Sequence, residues 1–324
     1  MHMKKLIATL LFALAPITQA SAQIAQPLVF EGGYSYLEIP FYLFQPQDVA
    51  ILHRELVSVL FVTIKEEWDD QSFLTKIIPN PGGGAAVSVV YGSDRRMTGV
   101  AVDMEKEHVY VMEEYTFGSA ITVLDYAGTP LMQVFDSGLG MTGAEGIDVD
   151  LAGNVYVTDP SYNRVVKFSE SLFVPENYGV SHFVSPEVSF AGFMYSTVKD
   201  VSLDKVGRMH VTFTDNHYAV YGPDGGLWSH AGYGGPYVPA ALWGVDAKQA
   251  PTSYWALGMG SFVTSDATHR YRWLDPIGTS TYAGIIEGSG EHRGCESARM
   301  TSGTSHKYIY AVCKGFSVRW YTDS

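Results

Sequence analysis

Residues 146–168 read GIDVDLAGNVYVTDPSYNRVVKF, and their patterning decides the fold. A short apolar run at 147–149 is followed by the turn Asp150-Leu-Ala-Gly-Asn154. A second run at 155–158, a polar turn and a third run at 164–168 complete the stretch. Apolar and polar residues alternating over four or five positions, with Gly and Asn at the breaks, predict three short antiparallel strands.

The opening run recurs along the chain. It is found at Asp48-Val-Ala-Ile51, Gly99-Val-Ala-Val-Asp103, Gly146-Ile-Asp-Val-Asp150, Asp200-Val-Ser-Leu-Asp204, Gly244-Val-Asp246 and Gly294-Cys-Glu-Ser297, at spacings of 51, 47, 54, 44 and 50 residues. A second run follows each copy, at 59–63, 108–112, 155–158, 209–214, 254–257 and 308–312. A period of 40–50 residues built from short strands is the mark of a β-propeller with about four strands per blade. Six copies predict an all-β, six-bladed β-propeller. Fourth strands are expected at 131–135, 227–231 and 282–286. The last copy ends at Ser324 after its third strand, at 316–321. Pro27-Leu-Val-Phe-Glu-Gly-Gly33 resembles Pro130-Leu-Met-Gln-Val-Phe-Asp136, so the N-terminal strand is expected to complete the last blade and close the ring.

The quoted stretch resembles the NHL repeat, whose consensus runs G-I-A-V-D, G-N-V-Y-V-T-D, then N-x-R-V. The third copy carries the pattern best. The second has Glu113-Glu114-Tyr115 where the consensus places T-D, and only the third brings Asn and Arg to the N-x-R element, as the adjacent Asn163-Arg164. Asp159, Asn163 and Arg164 are expected to satisfy the turn and brace the blade.

The first 22 residues read as a signal peptide of bacterial type: Lys4 and Lys5, an apolar run at 6–17, and Ala20-Ser21-Ala22 before Gln23. Residues 23–324 are then one exported domain, periplasmic or extracellular, without a membrane span. Without the leader the chain carries 19 Lys and Arg against 34 Asp and Glu, a formal charge of −15. Such a surface repels a phosphate backbone, which argues against nucleic acid as partner. The chain holds two cysteines, Cys295 and Cys313. Setting Met300 opposite Tyr308 in an antiparallel pair places these two opposite each other, where a bridge closing roughly 18 residues would stabilise by about 3 kcal/mol. A register displaced by two would leave free thiols.

In a propeller of this type, the loops entering each innermost strand share one face with those joining second and third strands. The resemblance makes this the usual binding face. Gln47, Thr98, Glu145, Lys199, Trp243 and Arg293 precede the inner strands and are expected around the channel mouth, with Asp48 beside them. Glu145, Lys199 and Arg293 form a mixed-charge set that either holds a zwitterion, carboxylate or peptide turn, or pairs internally and closes the channel. Aromatic loops at 33–47, 63–73 and 232–243 belong to the same face. Rings add contact area at low entropic cost.

The leading expectation is a non-catalytic binding module, without cofactor, for a protein, peptide or glycan. The alternative is a propeller enzyme, a calcium-dependent hydrolase or lactonase-like protein, or a lyase, with its site at the channel mouth. NHL-type lyases hold their metal through histidines at inner-strand entrances, positions filled here by Gln47, Thr98, Glu145, Lys199, Trp243 and Arg293. Calcium would find an oxygen ligand in Glu145, with Asp48 or Asp200 nearby, but needs six or more. A third class is a component of a surface assembly. The ten histidines show no HExxH spacing, no G-x-S-x-G elbow is present, and Gly82-Gly83-Gly84 lacks a following Lys-Ser/Thr.

Overall fold

The computed structural model describes residues 28–35, 44–54, 57–66, 71–79, 85–138, 140–191, 197–204, 206–214, 218–231, 242–246, 262–266, 271–274, 295–300, 308–313 and 317–323. Strand β1 (Leu28–Ser35) opens the chain. One sheet runs in order through β2 (Phe44–Arg54), β3 (Val57–Glu66), β4 (Ser72–Pro79) and β5 (Ala85–Ser93). The next holds β6 (Met97–Asp103), β7 (His108–Tyr115), β8 (Gly118–Asp125) and β9 (Pro130–Asp136). The third comprises β10 (Ile147–Val149), β11 (Val155–Asp159) and β12 (Arg164–Phe168). An excursion containing β13 (Ser181–Val184) precedes its outermost strand, β14 (Val188–Ala191). The fourth is β15 (Val198–Leu203), β16 (Met209–Phe213), β17 (Tyr218–Tyr221) and β18 (Leu227–Ala231). Residues 44–231 thus form four successive blades, and the chain is an all-β β-propeller.

Two further sheets follow. One contains β19 (Leu242–Asp246), β20 (Phe262–Asp266) and β21 (Tyr271–Leu274). The other contains β22 (Cys295–Met300), β23 (Tyr308–Cys313) and β24 (Ser317–Asp323), with β1 antiparallel to β24. The strand paired with β19 is Phe262–Asp266 rather than the run at 254–257, which lies outside the described residues, as does the fourth strand expected at 282–286.

Burial explains the sequence patterns. Every residue of β6 is buried, because an innermost strand is covered on both faces by its neighbours, whereas β9 alternates. The apolar clusters lie between blades. Leu52, Phe61, Val100, Val109 and Val111 join the first blade to the second. Tyr110, Met112, Ile147, Val157 and Phe168 join the second to the third, and Tyr156, Val165, Val201, Val211 and Phe213 the third to the fourth. Each blade is an apolar sandwich only in the company of the next, as in repeat proteins generally.

The excursion between β12 and β14 was not legible in the sequence. Its β13 pairs in parallel with β9, adding a fifth strand to the preceding blade. Phe173 packs edge-on against Tyr110, with centroids 5.2 Å apart, and the Lys106 ammonium donates to the Glu170 carbonyl at 2.8 Å. The segment straps the third blade to the second.

Candidate functional site

The inner strands approach so closely that Gly99 and Gly146 have no room for a side chain. A Cβ on Gly99 would lie 2.2 Å from the Glu145 carbonyl oxygen, and one on Gly146 2.5 Å from Asp200 Oδ1 and 2.7 Å from its Cα. Asp48, expected at the channel mouth, is buried: Oδ1 accepts from the Val49 amide at 2.8 Å and Oδ2 from the Val100 amide of the next blade at 2.9 Å. Asp148 repeats the device one step further along. Its Oδ1 takes the Val149 amide, and its Oδ2 takes the Leu203 amide and Ser202 hydroxyl of the fourth blade. The acids of these strands therefore stitch blades together.

Of the residues expected at the mouth, Lys199 places its ammonium 2.9 Å from Glu145 Oε2, with the two side chains 27% and 40% exposed. Exposure of that order lets water and salt screen the pair, which limits its worth to about 0–1 kcal/mol. Thr98 is buried and donates to the Ala144 carbonyl at 2.6 Å. Gln47 accepts from Arg96 Nη2 at 3.4 Å, and Arg96 also approaches Glu114 at 3.5 Å. Trp243 lies on β19, with its side chain outside the described residues, and Arg293 lies outside them altogether. Glu145 and Lys199 are thus brought together, while Gln47 engages a neighbouring arginine and Thr98 a neighbouring carbonyl.

The loops at the ends of β9 and β11 and the start of β12 are built on a buried ion triad. Arg164 donates through Nε to Asp159 and through Nη2 to Asp136, each at 2.7 Å, and to the Gly140 carbonyl at 3.0 Å. Burial alone would lower its pKa, but the two carboxylates outweigh it and hold the guanidinium charged more firmly than usual. Asn163, in the left-handed region at φ 46°, accepts the Val198 amide of the next blade at 3.0 Å. The Asn163-Arg164 pair is structural: Arg164 closes its own turn through Asp159, and both residues also reach neighbouring blades, at Asp136 and Val198.

Over this base stand two aromatic tips that composition alone did not single out. Phe117, between β7 and β8, is 95% exposed, and Tyr162, between β11 and β12, is 46% exposed with Arg164 over its ring at 5.3 Å. Their loops are tied to the segment entering β10. The Ser119 amide donates to the Met141 carbonyl, and the Ser161 hydroxyl to the Thr142 carbonyl. Both occupy second-to-third-strand connections, so position in the repeat was the signal that could have found them. Most of the aromatic loops expected at 33–47 and 232–243 lies outside the described residues. On the opposite face, the first-to-second-strand turns expose the aliphatic Met104, Leu151 and Val206.

The described polar interior is committed elsewhere. Glu113, fully buried between the first two blades, accepts from the Tyr91 hydroxyl at 3.3 Å, from Gln133 Nε2 at 3.5 Å and from the Thr122 hydroxyl. Burial, then the Glu113 charge, pushes the Tyr91 hydroxyl well above its usual pKa. His108 lies between the hydroxyls of Tyr110 (3.2 Å) and Tyr178 (2.6 Å), and burial lowers its pKa. His210 contacts Asp204, whose carboxylate also holds Arg208. Among the described residues no three His, Cys, Asp or Glu side chains converge as a metal-holding group, and no helix is long and apolar enough to cross a membrane.

No family model and no curated protein matches the sequence. Solved structures do match the fold. The nidogen/laminin complex aligns with TM-score 0.57 and 13% identity over 78% of this chain and 84% of that one. The WD40 β-propeller domain of Doa1 aligns with TM-score 0.51 and 10% identity over 88% and 98%. At such identities the likeness defines a class, the β-propellers, and nothing narrower.

Proposed function

We propose that the chain is an exported, non-catalytic NHL-type propeller of six blades that binds a protein, peptide or glycan through the face around the channel mouth. Closure is supported by the pairing of β1 with β24 and by the approach of the inner strands β22 and β2. Export rests on the leader read at 1–22. One observation carries the binding reading. Phe117 and Tyr162 are exposed at second-to-third-strand connections, while Arg164, over the Tyr162 ring, and the Glu145–Lys199 pair are matched internally. Exposed rings on rigid, cross-braced loops give contact area without the entropic cost of ordering.

The alternative, a calcium-dependent propeller enzyme, is tested by metal analysis and thermal unfolding of protein beginning at Gln23. The binding reading expects no stoichiometric ion and a melting temperature that calcium and EDTA leave unchanged. A bound ion at one equivalent, with a stabilisation that EDTA reverses, would overturn it. Lactone and ester turnover by native and Glu145→Gln protein would then decide the reaction.

A further inference from the structure

Cys295 and Cys313 are Cα partners across the antiparallel pair of β22 and β23. The sequence placed them so by setting Met300 against Tyr308. In the structure Met300 faces Ile309, and a register shift between Cys295 and Ser297 restores the cysteine pairing. Directly opposed residues in such a ladder hold their Cβ atoms roughly 5 Å apart, and a small backbone adjustment brings them to the ~4 Å of a disulfide. The pair occupies the first residue of β22 and the last of β23, the end of the sheet where the inner strand begins. β23 pairs with β24, and β24 with β1 from the far end of the chain.

We propose that Cys295 and Cys313 form a disulfide that fixes the last blade as the template on which the N-terminal strand docks. The two thiols give up two protons and two electrons to a disulfide-bearing oxidant, which leaves as two thiols while the S–S bond forms. No other cysteine is present to compete for either partner. Formation in the cell rests on the export proposed above, since reducing compartments keep such pairs open.

The test separates the bridge from export. Protein beginning at Gln23 is purified reduced and equilibrated with reduced and oxidised glutathione. The expected result is loss of both free thiols, a monomer lighter by two hydrogens, and linked peptides carrying Cys295 and Cys313. Reduction should then lower the melting temperature by about 5 °C and speed amide exchange in β1 on the order of tenfold. The C295S/C313S variant should show neither response. Should that variant fail to fold, reduced and alkylated native protein supplies the comparison. Two persistent thiols, glutathione adducts on both, or inter-chain bonds alone would overturn the bridge. Unchanged β1 exchange would overturn its templating role. Bridging in vitro by a protein that fractionates with the cytosol would sink export and leave the bridge standing.

Discussion

Gly146 shows how one missing side chain sets the spacing of two blades. With Asp200 Oδ1 2.5 Å from the position of its absent Cβ, Gly146→Ala must push the inner strands apart. We expect a loss of about 2–3 kcal/mol, read by urea unfolding. Charged groups divide by burial in the same way. Arg164→Met strands Asp136 and Asp159 in the interior, with their side chains 1% and 0% exposed, and should cost about 3–5 kcal/mol. Lys199→Met breaks a screened pair and should cost under about 1 kcal/mol. Equal costs would contradict the assignment of Arg164 as a brace between blades. These roles were only half legible. Asp159, Asn163 and Arg164 could be read as structural from the repeat, but their partners at Asp136 and Val198 belong to other copies, which local patterning does not join.

At the scale of the element, the strap at 169–187 joins chemistry to topology through His108. Burial favours the neutral ring, so His108 titrates below its usual value of about 6.5 in the folded state. The unfolded chain therefore binds its proton first. Stability contributed by the neutral ring is present above about pH 6.5 and declines as the pH falls below it, until the folded ring is protonated too. Urea midpoints at pH 7.5 and 5.5 should differ in that direction, with a smaller difference in His108→Gln. A slope unchanged by the substitution would place the titration elsewhere. Asp204 acts in a lower window. Burial opposes its charge, but His210 and Arg208 hold it below the usual carboxylate range, so its contribution is lost only as pH falls below about 4. The strap escaped the sequence reading for a physical reason. Ser181–Val184 and Val188–Ala191 are four residues each, and β13 finds its partner in β9 of another blade, in parallel. Inner strands were legible because continuous burial demands apolar runs, and because the close approach at Gly99 and Gly146 leaves no room for a side chain.

For the molecule as a whole, the pairing of β1 with β24 makes the two ends of the chain interdependent. Removing residues 28–35 would leave β24 as an open edge, a template for pairing with other chains. The shortened protein should melt at lower temperature and self-associate in size-exclusion chromatography, and a peptide of residues 27–36 added in trans should partly restore it. A monomeric, equally stable truncation would refute closure by this strand.

Partner binding through one face is tested most directly by comparing two paired variants on immobilised protein. Phe117→Ser with Tyr162→Ser alters the face of the second-to-third-strand loops, proposed above as the channel mouth, and Met104→Ser with Leu151→Ser alters that of the first-to-second-strand turns. All four positions are exposed, so neither pair should disturb folding. We expect a partner from the exported fraction to be retained by native protein and by the opposite-face variant, and to bind the channel-mouth variant at least about tenfold more weakly, a loss of roughly 1.4 kcal/mol. Equal retention by both variants, or loss confined to Met104 and Leu151, would contradict the assignment of the binding face.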